Sequence, residues 1–205
     1  MINMELLEIK NLTKSFEGKE VLHDINLSVS GGKILVNGKE VGVESKKIIS
    51  YLPERTYLNK QMKVSEVIDY FSDFYENFDS DKAKRLLKDL DLDINQKLSK
   101  MSKGMQEKVS LVLVMSRNAD LYILDEPLGG VDPATRDYIL DTILSNFNEN
   151  ASVIISTHLI SDIERILDEV IFIDKGKIVL QSDADKLRKK EKASIDEIFR
   201  RMFKC

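Results

Sequence analysis

Cysteine, proline and tryptophan are scarce in this sequence, and long apolar runs are missing. Of 205 residues, one is cysteine, three are proline and none is tryptophan. Because the cysteine, Cys205, is the last residue, no disulfide can form within the chain, which fits a reducing compartment. No apolar run approaches the ~18 residues that a membrane-spanning helix needs. A role at a membrane would therefore require docking onto a partner that spans it.

An excess of basic charge is also missing. The formal net charge is −4, and 42% hydrophobic with 32% charged residues is the balance of an ordinary globular protein. Nucleic-acid binders usually carry a basic patch and a high pI, so we expect no nucleic-acid partner. Residues 1–5 lack the basic and apolar regions of a signal peptide, and we expect none. The length suits a single domain.

The spacing of apolar residues predicts a β-rich start, a helical middle and an alternating end. The first part reads as short strands, and Asn37-Gly38 between apolar runs predicts a hairpin turn. Residues 64–117 have helical spacing, with a second helix from Ser80 and a third over 103–116. The alternation of strands and helices in the last third predicts an α/β fold with a parallel sheet.

Two apolar runs in the last third, 121–124 and 153–155, have the pattern of parallel strands covered on both faces. Between them, 136–147 is predicted to be helical. Residues 170–180 predict two strands, and 182–203 predict charged helices. An aromatic stripe at helical spacing is more typical of a packed core than of a ligand site. Its members are Phe71, Phe74, Tyr75 and Phe78.

Asp125 and Glu126 directly follow the first of these apolar strands. In an α/β sheet, ligands bind in the crevice beyond the carboxyl ends of the strands, so both carboxylates are expected there. The first can hold Mg²⁺, and the second can take a proton from an attacking water. Taken alone, two acidic residues after four apolar ones are more often a solvated turn.

A candidate anion site lies 23 residues before Asp125, where Ser102, Lys103 and Gly104 open a predicted helix. The free N–H groups and the dipole of a helix N-terminus both favour an anion, and Lys103 adds a positive charge. An ordinary capped helix is the simpler interpretation of this segment in isolation.

Two further features follow the carboxylates. Gly129-Gly130-Val131-Asp132 reads as a tight loop that leaves Asp132 free for a contact with another subunit. His158 stands at the end of the next buried strand, 33 residues beyond Asp125. Adjacent parallel strands would bring His158 beside Asp125 and Glu126, where it could contact a γ-phosphate, although a lone histidine is more often structural.

In this order, the motifs resemble those of the ABC ATPase family over almost the whole chain. Residues 102–105 resemble the signature motif, in a variant common among bacterial exporter subunits, and 121–126 resemble Walker B with its catalytic glutamate. Residues 129–132 resemble the D-loop, and His158 resembles the switch histidine. Phe16 stands where the family has an aromatic residue on adenine, and Glu54 where it has the Q-loop glutamine.

The resemblance implies the ATP-binding subunit of a bacterial ABC transporter, a peripheral protein at the cytoplasmic face of the membrane that powers transport. The implied fold is one P-loop NTPase-like α/β domain, 1–205. It combines a core sheet with an antiparallel β subdomain (1–50 and 119–181), a helical signature subdomain (55–118) and C-terminal helices (182–205). The implied partners are transmembrane permease subunits and a second ATPase subunit, which dimerises with the chain around ATP.

The resemblance also implies a role for each site residue. Glu126 and His158 are expected to be catalytic, and Asp125 and Glu54 to bind Mg²⁺. A carboxylate at Glu54 can ligate Mg²⁺ more strongly than the usual glutamine, at the cost of negative charge beside the γ-phosphate. ATP is expected to contact Phe16, Ser102, Lys103, Gly104 and Asp132.

The phosphate loop of the family is missing. No Gly-x-x-x-x-Gly-Lys-[Ser/Thr] occurs, and Gly32-Lys33-Ile34 runs directly into Leu35-Val36, which normally follow a strand-loop-helix unit of about thirty residues. Stacking of adenine on Phe16 offers only about 1–3 kcal/mol and cannot replace a phosphate cradle. Loss of a central strand would also open a hole in the core.

Two interpretations follow. In the first, which we favour because the other motifs are intact, the sequence omits a segment between two stretches, and the chain should break within 33–36. In the second, the deletion is real, and the protein is an inactive subunit that contributes only its signature face to a dimer. An ABC ATPase that acts on ribosomes or DNA is less expected, because such proteins usually carry two nucleotide domains. The signature variant favours export.

Overall fold

The computed structural model describes residues 7–16, 19–27, 34–36, 39–146, 151–175 and 177–204. The chain forms two compact units, one of residues 46–158 and one of the described parts of 1–45 and 159–205. The predicted division is a single domain with inner boundaries near residues 50, 55, 118 and 181. It stays a prediction. Within the described residues, no helix has both the length and the apolar composition that a bilayer span requires.

The N-terminal part of the chain is an antiparallel sheet of strand order β2-β1-β3-β4. Strands β3 and β4 pair antiparallel from Val36↔Lys39, which confirms the predicted hairpin, although its turn at 37–38 lies outside the described residues. The strands are β1 (Leu7–Phe16), β2 (Lys19–Leu27), β3 (Ile34–Val36) and β4 (Lys39–Glu40), followed by helix α1 (Val43–Ile48).

The short strand β3 lies where a break in the chain was predicted. Ile34, Leu35 and Val36 form one strand that pairs with Leu7–Ile9 of β1 in unbroken register. The pairing of residues 34–36 follows the sequence as given and does not test the predicted break within 33–36, which stays a prediction. The two interpretations, an omitted segment and a deletion in the sequence itself, both stand.

The unit of residues 46–158 is built on a parallel sheet of order β5-β6-β7. Its strands are β5 (Ile49–Leu52), β6 (Leu121–Asp125) and β7 (Ser152–Ser156). The central strand β6 buries Leu121, Tyr122 and Leu124, while Ile123 and Asp125 are half-buried. The α/β class and the parallel sheet predicted from alternation are confirmed.

Strand β7 differs from its prediction as a strand covered on both faces. Its residues alternate between exposed and half-buried, and 38% of Ile154 is exposed. Because successive side chains of a strand point to opposite faces of the sheet, this alternation shows that one face of β7 is the less covered.

Three helices pack together between β5 and β6 in the chain. They are α2 (Val64–Phe74), α3 (Ser80–Asp89) and α4 (Lys103–Met115), with a 3-10 turn at Leu98–Lys100 before α4. The predicted helices from Ser80 and after Ser102 are confirmed. Of the aromatic stripe, Phe71 is buried and Tyr75 and Phe78 pack on the same core. Phe74 is 65% exposed, so its assignment to the core is wrong; the buried face of α2 passes through Val64, Val67, Ile68 and Phe71 instead.

Helix α5 spans Pro133–Asn146, three residues earlier at its start than predicted. Phe147, its predicted last residue, lies outside the described part of the chain. Beyond β7 the other unit continues with two strands and three helices around its own apolar core. These are α6 (Ile160–Ile163), β8 (Glu169–Asp174), β9 (Lys177–Asp183), α7 (Ala184–Glu191) and α8 (Ile195–Phe203), with a 3-10 turn at Glu164–Ile166.

Candidate functional site

The carboxyl ends of β6 and β7 bring the predicted catalytic residues together. The two strands pair in parallel through Asp125↔Ser156, so the residues that follow each strand emerge at the same edge. At this edge the Ser156 hydroxyl donates a hydrogen bond to Asp125 Oδ1 at 2.5 Å. One oxygen of Asp125 is thereby oriented by the neighbouring strand.

Glu126 is held in a sharp backbone turn. Its φ is +48°, in the left-handed region that residues other than glycine rarely adopt. The turn is fixed on both sides, because the Glu126 N–H donates to the Ser156 carbonyl at 2.9 Å and the Gly129 N–H donates to the Glu126 carbonyl at 2.9 Å. Such conformations persist only where the surroundings determine them, and they concentrate at functional sites.

Both carboxylate oxygens of Glu126 have partners on the segment after β7. The Thr157 hydroxyl donates to Oε2 at 3.2 Å, and His158 Nδ1 lies 2.9 Å from Oε1. The side chain of Glu126 is 25% exposed and that of His158 is 72% exposed. The carboxylate is thus oriented from within and accessible from outside, which is what a general base that works on a water molecule needs.

The end of strand β5 brings Tyr51 and Glu54 to the same edge of the sheet. Leu52 of β5 pairs with Leu124 of β6, so both strands end side by side. Burial and the charge of the neighbouring Asp125 carboxylate raise the pKa of the Tyr51 phenol, which places Tyr51 close to Asp125. Glu54 follows two residues after the strand and is exposed.

The helix start predicted at Ser102 is confirmed, whereas anion binding there stays a prediction. The Ser102 hydroxyl accepts a hydrogen bond from the Met105 N–H at 3.2 Å and so caps the helix. The Gln106 amide donates to the carbonyls of Leu98 and Met101, which fixes the segment that leads into the cap. The Lys103 side chain is 82% exposed.

The loop of residues 129–132 lies against the first turns of α4. Gly130 has a φ of +74°, and a Cβ there would meet the Glu107 carboxylate at 3.0 Å. A Cβ added to Gly104 would lie 4.0 Å from the Gly130 carbonyl. The left-handed conformation favours glycine at 130, whereas the Glu107 carboxylate is the flexible end of its side chain and can move aside. The structure therefore joins the predicted signature segment and the predicted D-loop into one surface.

Asp132 is a helix-capping residue, a role that its prediction did not include. The Thr135 N–H donates to Asp132 Oδ1 at 3.1 Å, and the Thr135 hydroxyl donates to Oδ2 at 2.7 Å. These hydrogen bonds lower the pKa of the Asp132 carboxyl. The signal was in the sequence, since Asp before Pro and three residues before Thr is a typical start of a helix.

We predict that this cap makes part of the stability pH-dependent. The pKa of Asp132 is lower in the folded chain than its ordinary 3.8, so the cap is fully stabilising above that value and is lost as the pH falls below it. Thr135→Val removes the hydroxyl donor. The melting temperature of the variant should be lower than that of the wild type at pH 7. This difference should shrink towards zero in acid.

Thr142→Val is the matched control, because the Thr142 hydroxyl donates to the Tyr138 carbonyl in the same helix and touches no carboxylate. Its effect on the melting temperature should not depend on pH. If Thr135→Val lowered the melting temperature equally at neutral and acidic pH, the proposed role of the Asp132 cap would be contradicted.

Some predicted residues remain untested by these contacts. Phe16 closes strand β1 opposite Lys19, but its side chain lies outside the described part of the chain, so its stacking role stays a prediction. Thr157 was missed as a partner of Glu126. No spacing rule marks it, and only the pairing of β6 with β7 brings it to the carboxylate.

Comparison with known proteins agrees with this geometry. The family model described as "ABC transporter" matches residues 20–129, which is more than half of the chain. The chain belongs to the ABC transporter family. It is an ATP-binding subunit of ABC type, an ATPase that energises transport.

The curated relatives of this ATP-binding subunit include archaeal and bacterial proteins. It is 31% identical to the "Uncharacterized ABC transporter ATP-binding protein MJ1023" of Methanocaldococcus jannaschii, over 84% of this chain and 76% of that protein. It is 23% identical to the "SkfA peptide export ATP-binding protein SkfE" of Bacillus subtilis, over 86% of this chain and 88% of that protein. Exporter-type homologues are therefore among its relatives.

A solved structure described as the ATP-binding subunit of an ABC transporter has the same fold. Its TM-score is 0.81 at 23% identity, and the match covers 95% of this chain and 98% of that one. The α/β ABC ATPase fold, with a parallel core sheet and an antiparallel β hairpin, is thereby established.

The alignments also bear on the missing phosphate loop. The match to the archaeal protein runs over 202 positions but takes in 84% of this chain, which is about 172 residues. About 30 positions of the alignment therefore face no residue here. These figures do not assign the unmatched positions to one segment, so the absence of the strand-loop-helix unit stays a prediction.

Proposed function

We propose that the ATP-binding subunit works as half of a dimer that closes around ATP, with Glu126 as the general base. What supports the proposal is the geometry of Glu126, which is fixed by Thr157 and His158 and accessible from one side. His158 both orients the carboxylate and offers its exposed ring to a γ-phosphate. Ser102, Lys103 and Gly104 present a capped helix N-terminus to phosphate held by the other subunit.

The edge of the sheet fits Mg²⁺ as this family uses it. Mg²⁺ commonly takes one or two carboxylates and completes its octahedron with water and substrate phosphate. Asp125 keeps Oδ2 available while Ser156 orients Oδ1, and the exposed Glu54 lies beyond the end of the adjacent strand. We therefore assign the metal to Asp125 and Glu54; when bound, it would neutralise charge that develops on the phosphate oxygens.

The residues fit ATP less completely. The signature surface fits a γ-phosphate, because α4 opens with free N–H groups and an exposed lysine. The backbone cradle and the lysine of the phosphate loop, which hold the phosphates in P-loop proteins, have no counterpart in the sequence. A phosphate loop on the partner subunit would supply both.

The lack of a phosphate-loop motif in the sequence favours a second candidate function. In it, the chain contributes its signature surface to an ATP that is bound by a different subunit. The two candidates differ in a measurable way. Steady hydrolysis by the purified chain supports a self-sufficient ATPase, whereas hydrolysis that appears only with a co-expressed ABC subunit supports the second.

We further propose that the partner in the membrane is a permease, which the chain meets at the cytoplasmic face, and that transport is export. An exposed aromatic patch on the helical part supports a docking surface. Tyr70 and Phe74 stack with ring centroids 5.9 Å apart and are 55% and 65% exposed, and the 62% exposed Tyr57 lies near Tyr70. Exposed patches of this kind mark protein interaction sites.

Replacement of the patch should weaken membrane binding without unfolding the chain. For Tyr70→Ser with Phe74→Ser, we expect co-sedimentation with inverted membrane vesicles to need at least about tenfold more protein, since truncation of central interface aromatics typically costs 2 kcal/mol or more. Ile173→Ser, at a 51% exposed position of β8, is the control and should bind like the wild type. Unchanged binding by the double variant would exclude the patch as the docking surface.

A further inference from the structure

The first turns of helix α4 carry an ion pair that contributes little to the helix itself. Lys103 Nζ lies 3.4 Å from Oε1 of Glu107, four residues later. On a helix, a glutamate that precedes a lysine by four residues is more stabilising than the reverse order, and here the lysine comes first. The Lys103 side chain is also 82% exposed, so water screens most of its attraction to the carboxylate. Helix stability therefore does not account for the pair.

The carboxylate of Glu107 is much less accessible than the ammonium of Lys103. The Glu107 side chain is 21% exposed, and its Oε2 atom is buried. Among the residues that the structure describes, no hydrogen-bond donor reaches Oε2. A buried carboxylate oxygen without a donor lowers stability, because it has lost water and has gained no partner in exchange. Features that lower stability in this way are expected at functional positions.

This carboxylate lies beside the loop of residues 129–132. A Cβ at Gly130 would lie 3.0 Å from Oε2 and 3.1 Å from Oε1 of Glu107, so the carboxylate occupies space that a side chain at 130 would take. The surface formed by α4 and this loop therefore combines an exposed ammonium with a mostly buried carboxylate 3.4 Å away. A phosphate that approached Lys103 from solvent would meet both charges.

We propose that Glu107 is a positioning residue that competes with phosphate for Lys103 and so sets how tightly the signature surface holds an anion. The inference rests on the proposed function, in which this surface meets a phosphate held by the other subunit. It applies equally to a self-sufficient ATPase and to a subunit that contributes only its signature surface. When Lys103 turns to phosphate oxygens, Glu107 loses its partner, and the charges of carboxylate and phosphate repel each other.

The consequence is a signature surface that releases phosphate readily. Glu107 pairs with Lys103 while the surface is empty, and it takes the ammonium back when phosphate leaves. The same surface with a neutral residue at 107 would bind phosphate more tightly and release it more slowly. Glu107 thus favours reopening of the dimer after hydrolysis.

A titration with inorganic tripolyphosphate tests this competition on the chain alone. The dissociation constant is measured from the NMR shifts of the Lys103 and Gly104 backbone amides. Glu107→Gln removes the charge and keeps the size of the side chain. We expect it to lower the dissociation constant at least about threefold, because unit charges a few ångströms apart near a protein surface interact strongly. Added salt should reduce this difference between the variant and the wild type.

Asp196→Asn is the matched control for the loss of a paired carboxylate. The Asp196 side chain is also 21% exposed, and its Oδ2 lies 2.8 Å from Nε of Arg200, four residues later on helix α8. This variant should bind tripolyphosphate like the wild type. A gain in affinity equal to that of Glu107→Gln would mean that the net charge of the chain, and not the position of Glu107, determines the binding.

A double-mutant cycle shows whether Glu107 acts through Lys103. In a Lys103→Gln background, Glu107→Gln should lose most of its effect on the dissociation constant, because no ammonium is left to compete for. An equal effect in both backgrounds would show repulsion of phosphate without competition, and it would overturn the proposal. Equal dissociation constants for the wild type and Glu107→Gln, or no response of either to tripolyphosphate, would overturn it too.

Hydrolysis separates this inference from the proposed function. In the assembly with a co-expressed ABC subunit, Glu107→Gln should reach half-maximal hydrolysis at a lower ATP concentration than the wild type. An unchanged ATP concentration in an active assembly would contradict the role of Glu107. If the assembly does not hydrolyse ATP at all, the proposed function fails, whereas the tripolyphosphate titration still decides whether Glu107 competes for Lys103.

Discussion

Glu126→Gln is expected to reduce ATP hydrolysis at least about a hundredfold, the loss typical for removal of a positioned general base. Glutamine keeps the size of the side chain. In the wild type the Thr157 hydroxyl donates to Glu126 Oε2 at 3.2 Å, and the carbonyl oxygen of glutamine can accept the same hydrogen bond. What is lost is the ability to take a proton from water. ATP binding and thermal stability should therefore remain close to those of the wild type.

The measurement is phosphate release under steady state, for the chain alone and for the chain with a co-expressed ABC subunit. Glu54→Gln is the matched control: it restores the residue usual in the family and should change the Mg²⁺ dependence of hydrolysis without abolishing turnover. A hydrolysis rate for Glu126→Gln equal to that of the wild type in the active assembly would show that Glu126 is not the base.

Arg117→Met should destabilise the chain by about 3 kcal/mol, a large share of the 5–15 kcal/mol typical of a folded domain. Arg117 is 4% exposed, and its guanidinium donates to the carbonyls of Ile49 and Lys47 and to Asn77 Oδ1. It also lies 3.8 Å from the centre of the Tyr75 ring. Methionine fills much of the space but removes the donor to the Ile49 carbonyl and to Asn77 Oδ1, both on half-buried residues, while the Lys47 carbonyl keeps the Asn77 amide. Each acceptor left without a partner away from water costs about 1–3 kcal/mol.

The free energy of unfolding in urea measures this effect. Arg117→Lys should lose less, because lysine keeps the charge but cannot place donors on several acceptors at once. Arg201→Met, at a side chain that is 57% exposed, should change the free energy of unfolding by less than about 0.5 kcal/mol. If Arg117→Met also changed the free energy of unfolding by less than about 0.5 kcal/mol, the acceptors of Arg117 would have found other partners.

Much of the architecture could be predicted because its signals are local. The apolar run of β6, the Ser102 cap and the Asn37-Gly38 hairpin each depend on residues within a few positions of one another, and the structure has all three features. The order of the motifs was also sufficient to name the family that the comparisons confirm.

Local signals failed where distant contacts decide burial. Phe74 has the spacing of a core residue, but α2 turns it outward. The run of β7 has the composition of a strand covered on both faces, yet its residues alternate between exposed and half-buried. The composition of a strand shows which side chains are apolar enough to be buried. Which of them are buried depends on the elements that pack against the strand.

The sequence by itself determined the family and the α/β class, and it predicted Asp125, Glu126 and His158 as site residues. Only the tertiary structure decided which residues contact them. Parallel pairing of β6 with β7 brings Thr157 and His158 to Glu126, and the packing of α4 places Glu107 against Gly130. These residues are far apart in the chain, and their contacts depend on strand register and helix packing, which no short stretch of sequence specifies.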